Sequence, residues 1–560
     1  MSDFVQAPPR LRNGFTHNRW LHAWLRHKLP PAIFSAARDD LASFGEACAR
    51  GYNDLARQAE AQPPLLVSHD PWGRRVDDIR LSSAWKALHD VSAREGLIAI
   101  AYEHEAGEWS RLLQFAKLYL FHPSSAFVSC PLAMTDGAAK VLRDFGTEPE
   151  HHEAFAHLTS RDPQQFWTSG QWMTESRGGS DVSATATCAR REGASWRLTG
   201  AKYFASATTA EIALALARKD GAAQGSRGLT LFLAQPRDEH GAWRGVQVRR
   251  LKDKLGTRAL PTAELDLDGL HAVQLGADGA GVKTVSTMLN ITRLHNAICS
   301  LGEITRALEE MRDYSARRIA FGAPLDAHVL HVAAFAREEV KLLAGFLLTM
   351  QLVHLLGREE CSAGRPAESN ILRLMTPVCK LFTARAAVSA ASEVVEGFGG
   401  AGYVEDVGIA RHLRDAQVFP IWEGATNVLS LDMLRVLQKS EAMSALASDA
   451  EHRLASAQSE DLMLHVAKLQ EFFAVLKWNV ATLLEAPEEE QAASSRELGF
   501  HLAWAYAGVL AVSWAHAETP GNRALLQPWL SALLAQVHSW APSGHGAIAR
   551  ARAIWNTDLS

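Results

Sequence analysis

Glu423 sits in the octet Pro420-Ile421-Trp422-Glu423-Gly424-Ala425-Thr426-Asn427, just after Leu413-Arg414-Asp415-Ala416. A carboxylate between a bulky aromatic and a glycine, at the end of a loop, is set up as a base in an apolar pocket. Burial beside Trp422 raises its pKa, and a neighbouring cofactor decides which proton it removes. The competing reading is an acidic surface turn.

Three further segments decide between these readings. The first is Met173-Thr174-Glu175-Ser176-Arg177-Gly178-Gly179-Ser180-Asp181, followed by Gly200-Ala201-Lys202-Tyr203-Phe204-Ala205-Ser206. The second is Asp253-Lys254-Leu255-Gly256-Thr257-Arg258, leading to Thr292-Arg293. The third is Arg317-Arg318-Ile319-Ala320-Phe321-Gly322, with Gly397-Phe398-Gly399-Gly400-Ala401-Gly402-Tyr403 further on. In this order and with the octet, they resemble the acyl-CoA dehydrogenase flavoprotein family, over roughly residues 80 to 440. Trp-Glu-Gly at the base and Thr-Glu-x-x-Gly-Gly-Ser-Asp in the loop, together with the long stretch after residue 440, are most similar to the AidB-like subgroup.

The resemblance implies an α+β, mostly α fold: an N-terminal helical domain, a middle antiparallel β domain and a C-terminal four-helix bundle, here with an extra helical C-terminal extension. It implies FAD as cofactor, an acyl-CoA substrate of medium, long or branched chain, an electron-transferring flavoprotein as acceptor and a homotetramer. Carried over by position, Met173, Thr174, Gly179 and Ser180 line the flavin ring and its phosphates, with Ser180 also towards the substrate. Phe204 and Ser206 take the places of the residues that pack on the isoalloxazine. Arg318 matches the arginine that reaches the pyrophosphate of a neighbouring subunit's FAD, where a guanidinium can fork onto phosphate oxygens. Gly399 and Gly400 let backbone approach the nucleotide, and Asn427 falls near the adenosine half. Arg293 stands near the substrate pocket, as a tuner of the carboxylate or in a structural ion pair. In the implied reaction, Glu423 takes the α-proton of the thioester while the β-hydrogen leaves as hydride. Gln171-Trp172, Ser176-Arg177 and Leu260-Pro261 depart from the family's pattern around the flavin and the substrate entrance, which sets ordinary short-chain turnover in question.

The elements that must position these residues can be read from periodicity. A chain of 560 residues implies several domains. We divide it at 1–160, 161–277, 278–440 and 441–560. The first 75 residues or so read as irregular, punctuated by Pro30-Pro31 and Pro63-Pro64, with a helix between Ala36 and Ala59. Apolar residues three and four apart from Ser82 to Leu158 predict packed helices. Trp196-Arg197-Leu198, Ile212 to Leu216, Leu229 to Leu233 and Val246-Gln247-Val248 read as strands. Past Asp278 the helical period returns, and the tail is helical with breaks at Pro487, Pro520, Pro528 and Pro542.

Composition narrows the function. With 47% hydrophobic and 21% charged residues the chain has an ordinary globular make-up, and a net charge of −5 gives no general attraction to nucleic acid or anionic membrane. The six cysteines are scattered without metal-ligand spacing, as expected of free thiols in a reducing compartment. The beginning carries no signal-peptide pattern and Thr557-Asp558-Leu559-Ser560 is no peroxisomal address, so the expected location is the cytoplasm. Leu498 to Ala515 carries no charged residue but is rich in alanine, and reads as a buried helix rather than a membrane span. The alternative to a dehydrogenase is an AidB-like flavoprotein that mainly binds, either an acyl ligand or DNA. From Glu441 onward thirteen acidic side chains face seven basic ones, a poor platform for phosphates.

Overall fold

The computed structural model describes residues 6–18, 20–238 and 240–556. Helix α1 (Leu21–Lys28) turns Leu21, Trp24 and Leu25 to one buried side, the spacing of an amphipathic helix. Pro31 opens α2 (Pro31–Ala49) in its first turn, where a missing N–H leaves no helical bond unmade, and α3 (Gly51–Ala61) follows. The expectation of an irregular leader with one helix from Ala36 to Ala59 is therefore corrected to three helices, the last two parted at Arg50 (φ −119°, ψ −98°). The local pattern is short, and its stabilising partner is remote: the Trp20 ring meets Trp529 edge-on, with centroids 4.4 Å apart.

A hairpin, β1 (Leu65–His69) and β2 (Arg75–Arg80), comes next. Asp70 Oδ1 closes its turn by accepting from the N–H groups of Trp72 and Arg74, both at 2.9 Å. Ile79 of the hairpin is buried in the core of the β domain. Helices α4 (Ser83–Arg94), α5 (Ala99–Glu103), α6 (Ser110–Phe121), α7 (Ser129–Phe145) and α8 (Pro149–Leu158) complete the N-terminal part.

The β domain holds β3 (Ser169–Trp172), β4 (Cys188–Glu192), β5 (Ser195–Ser206), β6 (Ile212–Lys219), β7 (Leu229–Ala234), β8 (Val246–Leu251) and β9 (Thr262–Leu275). Pairing runs β6-β4-β5-β9-β7 and returns from β7 to β6, so five strands form a ring, with β3 on β6 and β8 on β9. Alternation along β6 shows how sequence builds two cores. Ala213, Ala215 and Ala217 face one side, where small residues leave room for Trp172 and Phe232. Ile212, Leu214 and Leu216 face the other, against residues of α7, α8 and the helix that follows the domain. The domain is not wholly antiparallel as expected: β3 and β4 both run parallel to β6. The chain reaches β6 from β3 by way of β4 and β5, and from β4 by way of β5, long enough connections for the crossovers that parallel neighbours need.

The bundle is built on α9 (Gly281–Ser315), α10 (Val329–Glu360) and α11 (Pro366–Phe398), with the short hairpin β10 (Ile319–Ala320) and β11 (Ala323–Pro324) between the first two. Helices α12 (Gly400–Tyr403), α13 (Ile409–Ala416) and α14 (Thr426–Lys439) follow. The extension adds α15 (Ala442–Ser456), α16 (Met463–Glu485), α17 (Glu488–Ala517), α18 (Pro520–Leu534) and α19 (His545–Asn556). Leu498 to Ala515 lies inside α17, largely buried among other helices. Gly499 packs on Leu381 and Met433 of the bundle, which seats α17 against the site-bearing helices. Pro528 falls inside α18 instead of breaking it.

Candidate functional site

The octet forms the turn between α13 and α14. The N–H groups of Ile421 and Trp422 both donate to Val418 O, at 2.9 and 3.1 Å. Glu423 then takes φ 57° and Gly424 φ 108°. A left-handed conformation at a non-glycine residue costs on the order of 1 kcal/mol and persists only where surroundings impose it. Here two cations grip consecutive backbone carbonyls: Arg293 Nε donates to Glu423 O at 3.3 Å, and Lys380 Nζ to Gly424 O at 2.7 Å. Trp422 meets Phe127 edge-on, with centroids 6.0 Å apart.

The Glu423 carboxylate accepts from Thr292 Oγ1 at 2.8 Å through Oε2. Burial raises its pKa above the ordinary glutamate range, against the opposing pull of the Thr292 hydrogen bond and the charges of Lys380 and Arg293. Arg293 points its Nη1 at Asp432 Oδ2 (2.6 Å), and Arg373 Nη2 holds the other oxygen of that carboxylate at 2.9 Å. Arg293 is thus ion-paired at the back of the turn while its Nε braces the base. Sequence reasoning missed Thr292 and Lys380. Thr292 stood beside an arginine that drew the attention, and nothing local marks a lysine inside a long apolar helix.

A second cluster lies on the β domain. Glu175 accepts from Ala186 N (2.7 Å), Thr187 N (3.2 Å) and Thr187 Oγ1 (2.5 Å), so it closes the loop between β3 and β4. Lys202 Nζ, fully buried, reaches the same carboxylate at 2.8 Å and Leu216 O at 3.2 Å. Tyr203 N donates to Thr174 O at 3.0 Å, and Gly179 lies so close to Thr174 that a Cβ there would fall 2.8 Å from Oγ1. These contacts bring Met173, Thr174, Gly179 and Ser180 beside the strand that carries Phe204 and Ser206. Phe204 leaves 49% of its surface exposed. Lys252 Nζ sits 3.3 Å from the centre of the Tyr203 ring.

Helix α7 joins the two clusters. Thr135 Oγ1 accepts from Ser169 N at the start of β3 (3.0 Å), and Gly137 of the same helix faces Thr292 and Met288. The Asp253-to-Arg258 motif is a second joint: Thr257 N donates to Asp415 Oδ1 at 2.6 Å, and Gly256 packs directly on Arg414 O.

Arg318, Gly399 and Gly400 form a third group. Tyr314 and Phe398 stack at 4.3 Å and hold the ends of α9 and α11 together. From Thr292 to Ser315, where α9 ends just before Arg318, the rise of an α-helix implies a separation of about 35 Å along the axis. One chain therefore does not bring this group to Glu423. Asn427 stays near the base turn, where its Oδ1 accepts from Arg496 Nη1 of α17 at 2.7 Å.

Three family models match the chain: the adaptive response protein AidB N-terminal domain over residues 6–163, the acyl-CoA dehydrogenase middle domain over 170–270 and the acyl-CoA dehydrogenase C-terminal domain over 279–438. The chain is 42% identical over 537 residues to acyl-CoA dehydrogenase family member 11 of Caenorhabditis elegans, covering 93% of this chain and 87% of that protein. It is 30% identical over 422 residues to the putative acyl-CoA dehydrogenase AidB of Escherichia coli strain K12, covering 74% and 76%. The crystal structure of Caenorhabditis elegans ACDH-11 in complex with C11-CoA superposes with a TM-score of 0.96 at 38% identity, over 100% of this chain and 98% of that one.

Proposed function

Because the chain belongs to the acyl-CoA dehydrogenase family, we propose that it oxidises the α,β bond of an acyl-CoA thioester with Glu423 as the base. The observation that carries this reading is the Glu423 carboxylate, held on a left-handed turn, hydrogen-bonded to Thr292 and raised in pKa by burial. Thr292 fixes one carboxylate oxygen and thereby the direction of the other. That oxygen takes the α-proton, and the electron pair left behind forms the double bond as the β-hydrogen departs as hydride. Among the described residues no backbone carbonyl accepts from the Glu423 N–H. It can therefore donate to the thioester oxygen, where negative charge develops.

FAD, which members of the family use, supplies the hydride acceptor when bound. The residues fit it: a half-exposed aromatic, Phe204, shares β5 with Ser206, the neighbouring Tyr203 N–H ties that strand to Thr174 O, and Gly179 leaves no room for a side chain against the Thr174 hydroxyl. Met173, Thr174, Gly179, Ser180, Phe204 and Ser206 would hold it in one copy of the chain. Arg318, Gly399 and Gly400 of a second copy would take its phosphates and nucleotide, since the length of α9 separates them from Glu423 in their own copy. Asn427 would stand by the adenosine half. An assembly of at least two copies follows, with a homotetramer as the family-based expectation and an electron-transferring flavoprotein as the acceptor.

The ACDH-11 complex with C11-CoA supports a medium to long acyl chain as substrate. Anaerobic addition of a panel of acyl-CoAs, with flavin absorbance followed, tests the reading. Bleaching by medium or long chains is expected. Tight binding of an acyl-CoA without bleaching by any of them would replace dehydrogenation with ligand sequestration. Arg318→Ala is expected to weaken FAD retention by about 1.5–3 kcal/mol, the value of one charge-assisted contact. Equilibrium dialysis of FAD checks this, and unchanged retention removes Arg318 from the site.

A further inference from the structure

Lys380 lies in the middle of α11 with no exposed surface. Taking an ammonium out of water is costly unless something in the fold needs it. Among the described residues no carboxylate is ion-paired with it: Asp432, the acid on the neighbouring helix, is held by Arg293 and Arg373. Its hydrogen-bond acceptor is Gly424 O at 2.7 Å, one residue past Glu423, at the point where the backbone is left-handed twice in succession.

We propose that Lys380 is a positioning residue for the base: its Nζ clamps the Glu423–Gly424 turn through the Gly424 carbonyl, and its charge favours the ionised form of Glu423. The inference rests on the reading of Glu423 as the base. Two separate functions are combined in one side chain. The hydrogen bond holds a strained turn in place, so that the carboxylate stays on Thr292. The charge offsets the desolvation of that carboxylate. The ionisable groups electrostatically linked to this corner are Glu423, Arg293, His295 and Cys130, and beyond them Asp432 with Arg373. Of these only Arg293 bonds to the turn as Lys380 does, and Arg293 is already committed to Asp432. Burial lowers the Lys380 pKa to about 7, and the Glu423 charge works against that fall.

Two variants separate the functions. Lys380→Gln keeps a donor, one bond shorter in reach, and removes the charge. Lys380→Met removes both, and carries the greater risk of misfolding. Flavin reduction by an acyl-CoA as a function of pH reads the charge. In Lys380→Gln the acid limb is expected to move to higher pH by about one unit, because a nearby positive charge no longer favours the carboxylate. Hydrogen exchange of the Ile421 and Trp422 amides, measured on the full chain without substrate, reads the clamp. In Lys380→Met it is expected to quicken by about tenfold or more as the turn opens locally, and in Lys380→Gln to change little. An unmoved acid limb in Lys380→Gln, or unchanged exchange in a folded Lys380→Met, overturns the proposal. If no acyl-CoA reduces the wild-type flavin, the dehydrogenase reading falls instead, and the exchange measurement still decides whether Lys380 holds the turn.

Discussion

Glu423→Gln is expected to lower the rate of flavin reduction by about 10²–10⁴, the contribution of a positioned general base, with FAD content and acyl-CoA affinity close to wild type. The amide has nearly the carboxylate's shape, and Thr292 Oγ1 can bond to either, so the turn should survive the change. What is lost is the atom that accepts the proton. In a concerted elimination the hydride cannot leave while the α C–H bond is intact, so loss of the base stops both transfers. The pH dependence adds a second check. Burial raises the Glu423 pKa, so the wild-type rate should rise with pH through a value above the ordinary glutamate pKa of about 4.3. The sign for stability is the opposite of that for rate. A carboxyl whose folded pKa is raised binds its proton more tightly in the folded state, so it costs stability once pH climbs above its unfolded pKa. Glu423→Gln should therefore melt slightly higher than wild type at neutral pH while losing activity. Equal turnover in the two proteins, measured by single-turnover bleaching, would place the base elsewhere in the chain.

Features carried by adjacent residues were legible in the sequence, and those made by distant pairs were not. The Glu423 turn could be read because the aromatic, the acid and the glycine stand next to one another. The strand runs in β5, β6, β7 and β8 could be read because alternation is local, as the two faces of Ile212 to Ala217 illustrate. The expected helical N-terminal part, β domain and helical bundle are the architecture observed. By contrast, α1 reads as irregular because Trp20 finds its partner in Trp529, on the extension. The β1–β2 hairpin escaped notice because its buried side chain, Ile79, joins a core built from Trp172 and residues further along the chain. Lys380 could not be found for the same reason, since its partner lies 44 residues further on. The parallel pairing of β3 and β4 with β6 leaves no local trace either, because alternation does not encode strand direction.

Glu175 shows a different kind of gap, in which the motif was seen but the work of its acid was not, and its removal should have the largest effect on stability of any change near the site. Its carboxylate gathers three donors from Ala186 and Thr187 and pairs with Lys202, and both partners of the ion pair are buried. Burial alone would raise its pKa, yet Lys202 and these donors overcome it and hold the carboxyl below the usual range. Stability from such a depressed carboxyl is present above its unfolded pKa and is lost as pH falls through the folded one. Glu175→Ala strands an ammonium in the interior and frees two backbone N–H groups, and breaking a buried pair from one side costs about 3–5 kcal/mol. Removing both partners should cost less than twice as much, because Glu175→Ala with Lys202→Met no longer buries a lone charge. The loop that Glu175 closes carries Met173, Thr174, Gly179 and Ser180, so FAD retention should fall with stability in the single variant. Denaturant unfolding of the single and double variants measures the coupling. If Glu175→Ala unfolds at the wild-type midpoint and keeps its FAD, the loop is held by something other than this pair, and the account of how the β domain presents its hydroxyls and Phe204 fails with it.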